Sequence, residues 1–188
     1  MEHMIDIQNL SVTFDRPVVR DFSLTVRGNG VLCLRGPSGA GKTTILNAVA
    51  SLVPYTGTIA FSGKLAYLFQ DDRLLAHLRA GENVRLTAQS EPAARYYLHA
   101  FGVDEFADKK PRNLSGGMAR RCALARCFAY GGDVFLLDEP FRGLDGDNAL
   151  RVKDEIRKLA QNAVILLVTH DEDDVRDLNA REAVVPLL

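Results

Sequence analysis

A run of small residues that ends in a lysine and two threonines is well suited to bind an anion. It reads GPSGAGKTT and comprises Gly36, Pro37, Ser38, Gly39, Ala40, Gly41, Lys42, Thr43 and Thr44. Residues 31–35 before it predict an apolar strand, and a helix is predicted from Lys42 to about residue 51, which is the context of a P-loop. A ligand-free glycine-rich turn is the alternative, but the full motif in this context favours phosphate binding through inward-pointing backbone N–H groups. We therefore expect Lys42 to bridge the β- and γ-phosphates of ATP, with the Thr43 hydroxyl bound to Mg²⁺.

Two acids follow the apolar run at 134–137, at the predicted end of a buried strand. Ligands bind at this end of the strands in open α/β sheets. Asp138 suits a second contact to Mg²⁺, and Glu139 is placed to orient or deprotonate an attacking water. Acidic residues after a strand are common, so it is their pairing with the P-loop that favours hydrolysis of a nucleoside triphosphate.

The segment LSGGM, at 114–118, resembles the signature of ABC ATPases, with Met118 where many members have Gln. Ser115, Gly116 and Gly117 are predicted to open a helix and to offer a hydroxyl, bare N–H groups and the positive helix end to a phosphate. A capped helix start is the alternative from these residues alone. The resemblance implies that the phosphate is carried on the P-loop of a second copy, so that ATP drives a head-to-tail dimer.

The remaining ABC motifs follow in family order. Gln70 resembles the Q-loop glutamine, which contacts Mg²⁺ and the nucleophilic water, and Asp145, in the sequence GLD, resembles the D-loop that crosses to the other subunit. His170 resembles the switch histidine that hydrogen-bonds the γ-phosphate. Phe14 falls where the family places an aromatic ring that stacks on adenine; burial in the core is the alternative for this residue.

Three departures from the family pattern stand out. Positions 43–69, which are 27 residues, separate Lys42 from Gln70, so part of the antiparallel β-region is expected to be trimmed. Ala119 and Arg120 replace the basic residue and the glutamine that usually follow the signature. Arg142 stands where a small D-loop residue is common.

The predicted fold class is α/β, with a P-loop NTPase core built on a parallel sheet, an N-terminal antiparallel β-region and an inserted helical subdomain. Strands are predicted at 5–10, 23–26, 58–61 and 65–69, mostly antiparallel to one another. The apolar runs 134–137 and 164–168 predict parallel strands covered on both faces. The whole chain, 1–188, is expected to form a single ABC ATPase domain.

Helices are predicted in two further parts of the chain. The subdomain is expected at about 71–130, with breaks at Gly81 and around 90–92. Another helix is predicted at 147–161, with Leu150, Ile156 and Leu159 on or near one side. The three cysteines, which lack metal-ligand spacing, are expected to be buried and reduced.

Composition bears on partners and location. The net charge of −1 gives no overall attraction to nucleic acid, and no nucleic-acid partner is expected. Apolar runs such as 163–168 are too short to cross a bilayer, and the N-terminus lacks the features of a signal peptide, which predicts a cytoplasmic protein. The resemblance implies an integral membrane permease as partner, hence a peripheral position on the inner face of the membrane, and it allows a substrate-binding protein as a further component.

Three segments together, QDDRLL at 70–75, LSGGM at 114–118 and DEPF at 138–141, are most similar to ATPases of the nitrate, sulfonate and taurine importer group. By resemblance, the segment just after Gln70, at 71–75, is expected to line a groove for a cytoplasmic helix of the permease. Leu74 and Leu75 are the expected apolar anchors, and burial of both inside the helical subdomain is the alternative.

Two other functions fit the sequence less well than a transport ATPase. A soluble ABC ATPase of DNA repair or translation usually has coiled-coil insertions, tandem cassettes or basic surfaces, which this sequence lacks. A degenerate regulator without turnover is disfavoured by the presence of Lys42, Asp138, Glu139 and His170. We therefore expect an ATP-hydrolysing subunit that powers transport through a separate membrane protein.

Overall fold

The computed structural model describes residues 4–187, which form eight strands and six helices. The strands are β1 (Met4–Thr13), β2 (Pro17–Arg27), β3 (Gly30–Arg35), β4 (Thr56–Phe61), β5 (Leu65–Leu68), β6 (Val134–Asp138), β7 (Val164–Val168) and β8 (Arg181–Val184). The helices are α1 (Lys42–Val49), α2 (Ala80–Arg85), α3 (Glu91–Ala100), α4 (Gly116–Tyr130), α5 (Gly146–Leu159) and α6 (Glu172–Asp177), with short 3₁₀ turns at Asp104–Phe106 and Pro111–Asn113.

The central sheet has the strand order β5-β6-β7-β3-β8, and each neighbouring pair is parallel. All residues of β6 and β7 are buried, as their continuous runs of branched apolar side chains predict. Because parallel strands end at the same edge, the segments that follow β3, β5, β6 and β7 meet there. These segments carry the P-loop, Gln70, Glu139 and His170.

A smaller antiparallel sheet, with the order β2-β1-β4, forms the N-terminal β-region. The prediction that residues 65–69 join the antiparallel strands is wrong, since β5 pairs in parallel with β6. The N–H groups of Asp133 and Val134 both donate to the carbonyl of Lys64, at 2.8 and 3.1 Å, which aligns the starts of the two strands. A four-residue run of alternating burial carries no information about the direction of its neighbour.

Helices α2, α3 and α4 lie within the stretch 71–130, between β5 and β6. Gly81 does not break the chain but lies in the first turn of α2, where its N–H donates to the carbonyl of Ala107 at 2.9 Å. The break near residue 90 is confirmed, because the Ser90 hydroxyl caps α3 by accepting from the N–H of Ala93. Within residues 4–187, no helix combines the length and the apolar character needed to cross a membrane.

Two of the three side chains predicted on one side of helix α5 face the core, since Ile156 is buried and Leu159 packs against it, but Leu150 does not. Leu150 is 53% exposed, and Val152 and Ile156 are the apolar side chains of this helix that are fully buried. Residues two positions apart in an α-helix are separated by about 200° around its axis, so Leu150 lies on the side away from Val152. The exposed leucine therefore contributes little to packing within this chain.

The three cysteines are buried and unpaired, as predicted for small apolar residues. Burial raises the pKa of Cys33 to about 11 and that of Cys122 and of Cys127 to about 12. Thiols with such raised pKa values carry almost no thiolate at neutral pH, and thiolate is the reactive form. Their position and ionisation both favour a structural role.

Candidate nucleotide-binding site

A cavity of about 310 Å³ opens where the parallel strands end. It is lined by Val18, Ser38, Gly39, Gly41, Lys42, Thr43, Thr44, Gln70, Asp138, Glu139, Val168 and His170. Predicted site residues from four separate motifs thus meet in one place, although up to 132 positions separate them in the sequence (38 to 170). Gly36, Pro37 and Ala40 belong to the predicted loop but do not line this cavity.

The P-loop closes around the end of its own lysine. Lys42 is only 6% exposed, and its ammonium group donates to the carbonyls of Gly36 and Pro37, at 2.8 and 2.9 Å. Gly36 has a φ of +155°, and a Cβ there would lie 2.5 Å from the carbonyl oxygen of Val185, so only glycine fits. Gly41 adopts a φ of +88° and caps α1. The loop is therefore held in a curled form that leaves its backbone open to a ligand.

Asp138 is fully buried at the end of β6, and neither of its carboxylate oxygens has a hydrogen-bond partner among the described residues. Burial raises the pKa of Asp138, and the neighbouring Thr43 hydroxyl and the cationic Arg120 and Lys42 oppose that rise. A buried carboxylate without donors is completed by a cation. Thr43 and Gln70 line the same cavity and add oxygen ligands, the type that Mg²⁺ prefers, so this set fits the ion.

Glu139 follows directly and has an unusual backbone conformation, with a φ of +52°. Its N–H donates to the carbonyl of Val168 at 2.9 Å, which ties the turn to β7. Burial raises the pKa of Glu139, whereas the nearby His170 lowers it. A carboxylate of raised pKa that faces a cavity is suited to accept a proton from water.

His170 is mostly exposed, with 61% of its side chain accessible, and it lies close to Glu139, which directly follows the neighbouring strand β6. Its Nε2 atom lies 3.3 Å from Oε1 of Glu139, within ion-pair distance. Because it also lines the cavity, its ring can meet the terminal phosphate of a nucleotide bound by the P-loop. Gln70 is exposed at the same rim.

The signature residues lie at a second cleft, lined by Ser115, Gly117, Met118, Arg121, Gly143, Leu144, Asp145 and Asn148. The Ser115 hydroxyl caps α4 by accepting from the N–H of Met118 at 3.3 Å. Gly116 is the first residue of α4 and does not line the cleft. Among residues 4–187, none lines both this cleft and the cavity at the P-loop. One chain therefore keeps its signature apart from its P-loop.

Asp145 shapes the other wall of that cleft. It caps α5, accepting from the N–H of Asn148 at 2.9 Å, and this bond lowers the pKa of Asp145. A Cβ on Gly117 would lie 2.9 Å from the carbonyl of Gly143, so the signature and the D-loop approach each other closely. The two motifs therefore form one continuous surface.

For two apolar side chains, Phe14 and Leu74, the sequence leaves two alternatives open, and their exposure bears on the choice. Phe14 is 52% exposed in the turn between β1 and β2, so it is not a core residue, and it does not line the cavity of this chain. Leu74 is partly buried and packs against the core, which favours the alternative predicted for it, packing inside the helical subdomain. Leu75 is 38% exposed and remains available for contact.

Arg120 is a functional candidate that the sequence marked only as a departure from the family. It is 2% exposed and donates hydrogen bonds to the backbone carbonyls of Asp138 and Glu139. A signal was present, because positions 120, 124 and 128 share one face of α4, and Leu124 and Phe128 on that face are fully buried. A charged residue on an apolar helix face needs buried partners.

Comparison with known proteins decides the family. Residues 19–142 match the family described as ABC transporter. The chain belongs to the ABC transporter family. It is an ATP-binding and ATP-hydrolysing member, and the α/β fold expected from the sequence is confirmed.

Relatives within the ABC transporter family cover most of the chain. The thiamine import ATP-binding protein ThiQ of Vibrio vulnificus (strain YJ016) is 34% identical over 186 residues, which cover 87% of this chain and 80% of that protein. The aliphatic sulfonates import ATP-binding protein SsuB 1 of Paracoccus denitrificans (strain Pd 1222) is 36% identical over 179 residues, covering 90% and 74%. The ergothioneine transport ATP-binding protein EgtV of Helicobacter pylori (strain G27) is 33% identical, covering 95% of both chains.

A solved ABC structure has the same fold. It is the dimeric structure of a post-hydrolysis state of the ATP-binding cassette MJ0796 bound to ADP and Pi, with a TM-score of 0.84 and 25% identity. The match covers 97% of this chain and 96% of that one. The shortened segment between Lys42 and Gln70 therefore leaves the ABC fold intact.

Proposed function

We propose that two copies of this chain enclose ATP between them, and that closing and reopening the pair powers import through a separate membrane permease. The observation that carries this proposal is the separation of two half-sites on one chain. The P-loop cavity holds cationic and acidic groups, and the signature cleft lies elsewhere with the N-terminus of the 15-residue helix α4 at its wall. A head-to-tail pair would bring each cleft to the other copy's cavity, as in a closed dimer of two-fold symmetry.

Within each shared site the roles follow from position. The P-loop backbone and Lys42 bind the β- and γ-phosphates, and the partner copy's signature serine and helix end complete the γ-phosphate site. Glu139 accepts the proton of the attacking water, while Gln70 and His170 fix that water and the γ-phosphate at the rim. The exposed ring of Phe14 is free to stack on the adenine.

Magnesium fits the same cavity, and the residues that would hold it are Thr43, Asp138 and Gln70. When bound, the ion neutralises charge that develops on the phosphate oxygens. The buried carboxylate of Asp138, whose oxygens have no hydrogen-bond partner within residues 4–187, supports this assignment. The residues of this chain carry out the other steps: they orient the phosphates, admit one water and accept its proton.

Import through a permease is supported by the relatives, two of which are named as import ATP-binding proteins and a third as a transport ATP-binding protein. We infer a peripheral position on the inner face of the cell membrane, with a substrate-binding protein as a further component of the system. The exposed Leu75, five residues after Gln70, is a candidate contact for the permease. The alternative is a soluble ABC ATPase that is not coupled to transport. Failure of the chain to bind a permease would favour this alternative.

Complementation between two inactive chains tests the shared site. Lys42→Ala removes the phosphate charge partner in the cavity, and Ser115→Arg places bulk and a competing cation in the cleft, so each protein alone should hydrolyse little ATP. When the two are mixed, one site of the mixed dimer combines an intact P-loop with an intact signature. We expect hydrolysis to appear in the mixture at a rate well above either protein alone.

A matched control mixes Lys42→Ala with Glu139→Gln, whose defects lie in the same half-site. That mixture leaves no intact site and should stay inactive. Activity of the Ser115→Arg protein at the wild-type rate, or equal behaviour of the two mixtures, would show that each chain carries a complete site and would remove the basis for the dimer.

A further inference from the structure

Arg120 lies on the inward face of α4, with 3% of its side chain exposed, and carries a charge that burial makes costly. The charge has one acidic partner, Asp72, whose Oδ1 lies 3.1 Å from Nη1. The remaining contacts of the guanidinium are to backbone carbonyls. A residue kept only to fill space here would need no charge, because the surrounding face of the helix is apolar.

The guanidinium connects two segments that follow neighbouring strands. Its Nη1 atom donates to the carbonyl of Phe69 at 2.8 Å, just before Gln70. Its Nη2 atom donates to the carbonyls of Asp138 at 2.6 Å and Glu139 at 2.7 Å. The segment that carries Gln70 and the turn that carries both acids are thus held by one rigid, planar group, which presents its donors in a fixed geometry.

The turn at Glu139 has a conformation that needs such support. With a φ of +52°, this residue lies in the left-handed region, which is unfavourable for a residue with a side chain. Such conformations persist where the surroundings determine them. Nη2 binds the carbonyl on each side of the Glu139 backbone, and the N–H between them donates to Val168, so all three polar groups of this turn are fixed.

We propose that Arg120 is a positioning residue for ATP hydrolysis, which holds Glu139 and the Gln70 segment in one arrangement around the attacking water. The proposal rests on the role of Glu139 as the base in the proposed function. Arg120 does not line the cavity and so acts through the backbone of the catalytic turn rather than on the nucleotide. Its loss should therefore slow the chemical step and leave ATP binding at Lys42 unchanged.

Arg126 provides a matched control on the same helix. Its guanidinium also holds the segment after Gln70, donating to the carbonyls of Asp72 and Arg73 at 2.8 Å each. The described contacts of Arg126 do not include the turn at Asp138 and Glu139. Comparing the two arginines separates positioning of the base from simple anchoring of the Gln70 segment.

The test measures kcat and KM for ATP, with thermal stability, for Arg120→Gln, Arg120→Lys and Arg126→Gln in the full chain. For Arg120→Gln we expect kcat to fall about tenfold or more, since small displacements of a catalytic group have large effects, with KM within about twofold. Arg126→Gln should keep most of kcat. Arg120→Lys retains the charge but cannot span both segments, so it should fold and still show the loss of kcat.

Glu139→Gln and its double variant with Arg120→Gln separate the two proposals. If Arg120 acts through Glu139, the second substitution should add little to the loss caused by the first. An Arg120→Gln or Arg120→Lys protein with kcat near wild type, a parallel change in kcat and KM, or an equal loss in Arg126→Gln would overturn the role of Arg120 alone. Wild-type turnover in the Glu139→Gln protein would instead overturn the assignment of the base.

Discussion

Nε2 of His170, after β7, lies 3.3 Å from Oε1 of Glu139, after β6. The two strands are direct neighbours in the parallel sheet, so the pair forms from residues 31 positions apart (139 to 170) without any special loop. The histidine is largely exposed while the glutamate is mostly covered, with 61% and 17% of the side chains accessible. This asymmetry suits a base that is sheltered from bulk water beside a group that can swing toward a phosphate.

The glutamate of this pair should be required for turnover and not for binding. Glu139→Gln preserves size and the left-handed turn but removes the proton acceptor, so we expect kcat to fall by about 10²–10⁴ while ATP still binds. The trapped protein should shift from monomer to dimer in light scattering with ATP and Mg²⁺, and not with ADP. Ser115→Arg in the same background should block the shift. A dimer that forms equally with ADP, or turnover near the wild-type rate, would contradict this prediction.

The ionised side chain of Asp138 should lower the folding stability of the nucleotide-free protein. Burial raises the pKa of this carboxyl, so at neutral pH the ionised group lowers the free energy of unfolding. This destabilisation disappears as the pH falls and the group is protonated. Asp138→Asn should therefore increase the free energy of unfolding by about 1–3 kcal/mol at neutral pH, because the unpartnered charge is gone. The same change should remove hydrolysis and the added thermal stabilisation by Mg²⁺ with ATP.

Denaturant unfolding with and without Mg²⁺ and ATP measures both effects. Thr44→Ala, which alters the same cavity without touching a predicted charge, is the control for a general effect of substitution there. A less stable nucleotide-free Asp138→Asn protein would show that the carboxylate is already compensated within the chain.

A buried group of charges close to His170 should contribute strongly to the stability of the chain. Lys153 on α5 lies 2.8 Å from Asp174 and 2.7 Å from Asp177 on α6, and Asp174 also accepts from the Thr169 hydroxyl at 2.9 Å. Lys153→Met leaves Asp174 buried without its cation, so the free energy of unfolding should fall by about 3–5 kcal/mol. Asp177→Asn, at a partner with 45% of its side chain exposed, should cost about 1 kcal/mol or less. Equal losses in urea unfolding would refute the distinction between the two contacts.

The motifs of the site were predictable because each is local. Each motif lies at or just after the end of a parallel strand, so the sheet must bring them to one edge. These motifs are the P-loop, the acids at 138 and 139, Gln70 and His170. The features that the sequence could not provide depend on neighbours distant along the chain. The direction of β5 is set by its pairing with β6, and the burial of Leu74 by packing against the core. The contacts of Arg120 need both of these segments in place, so its role emerges only in three dimensions.

Contact with a permease should depend on Leu75, the more exposed of the two neighbouring leucines at 74 and 75. Leu74 packs against the core, so replacing it would disturb folding and binding together, whereas Leu75 is 38% exposed. Exposed apolar side chains near a site of conformational change are suited to anchor a partner helix. In a Leu75→Ser protein we expect basal ATP hydrolysis to persist and its recovery with membranes that contain the permease to fall several-fold, since a buried leucine contributes about 1.5–3 kcal/mol.

Leu86→Ser is the matched control, because Leu86 is 61% exposed just after α2 and lies away from Gln70 in the sequence. It should bind membranes as the wild-type chain does. Sedimentation of each protein with permease-containing vesicles, alongside vesicles without permease, measures the difference directly. Unchanged recovery of an active Leu75→Ser protein would exclude Leu75 as the anchor, and failure of the wild-type chain to bind any permease-containing vesicle would favour a soluble ATPase, because coupling to transport requires that contact.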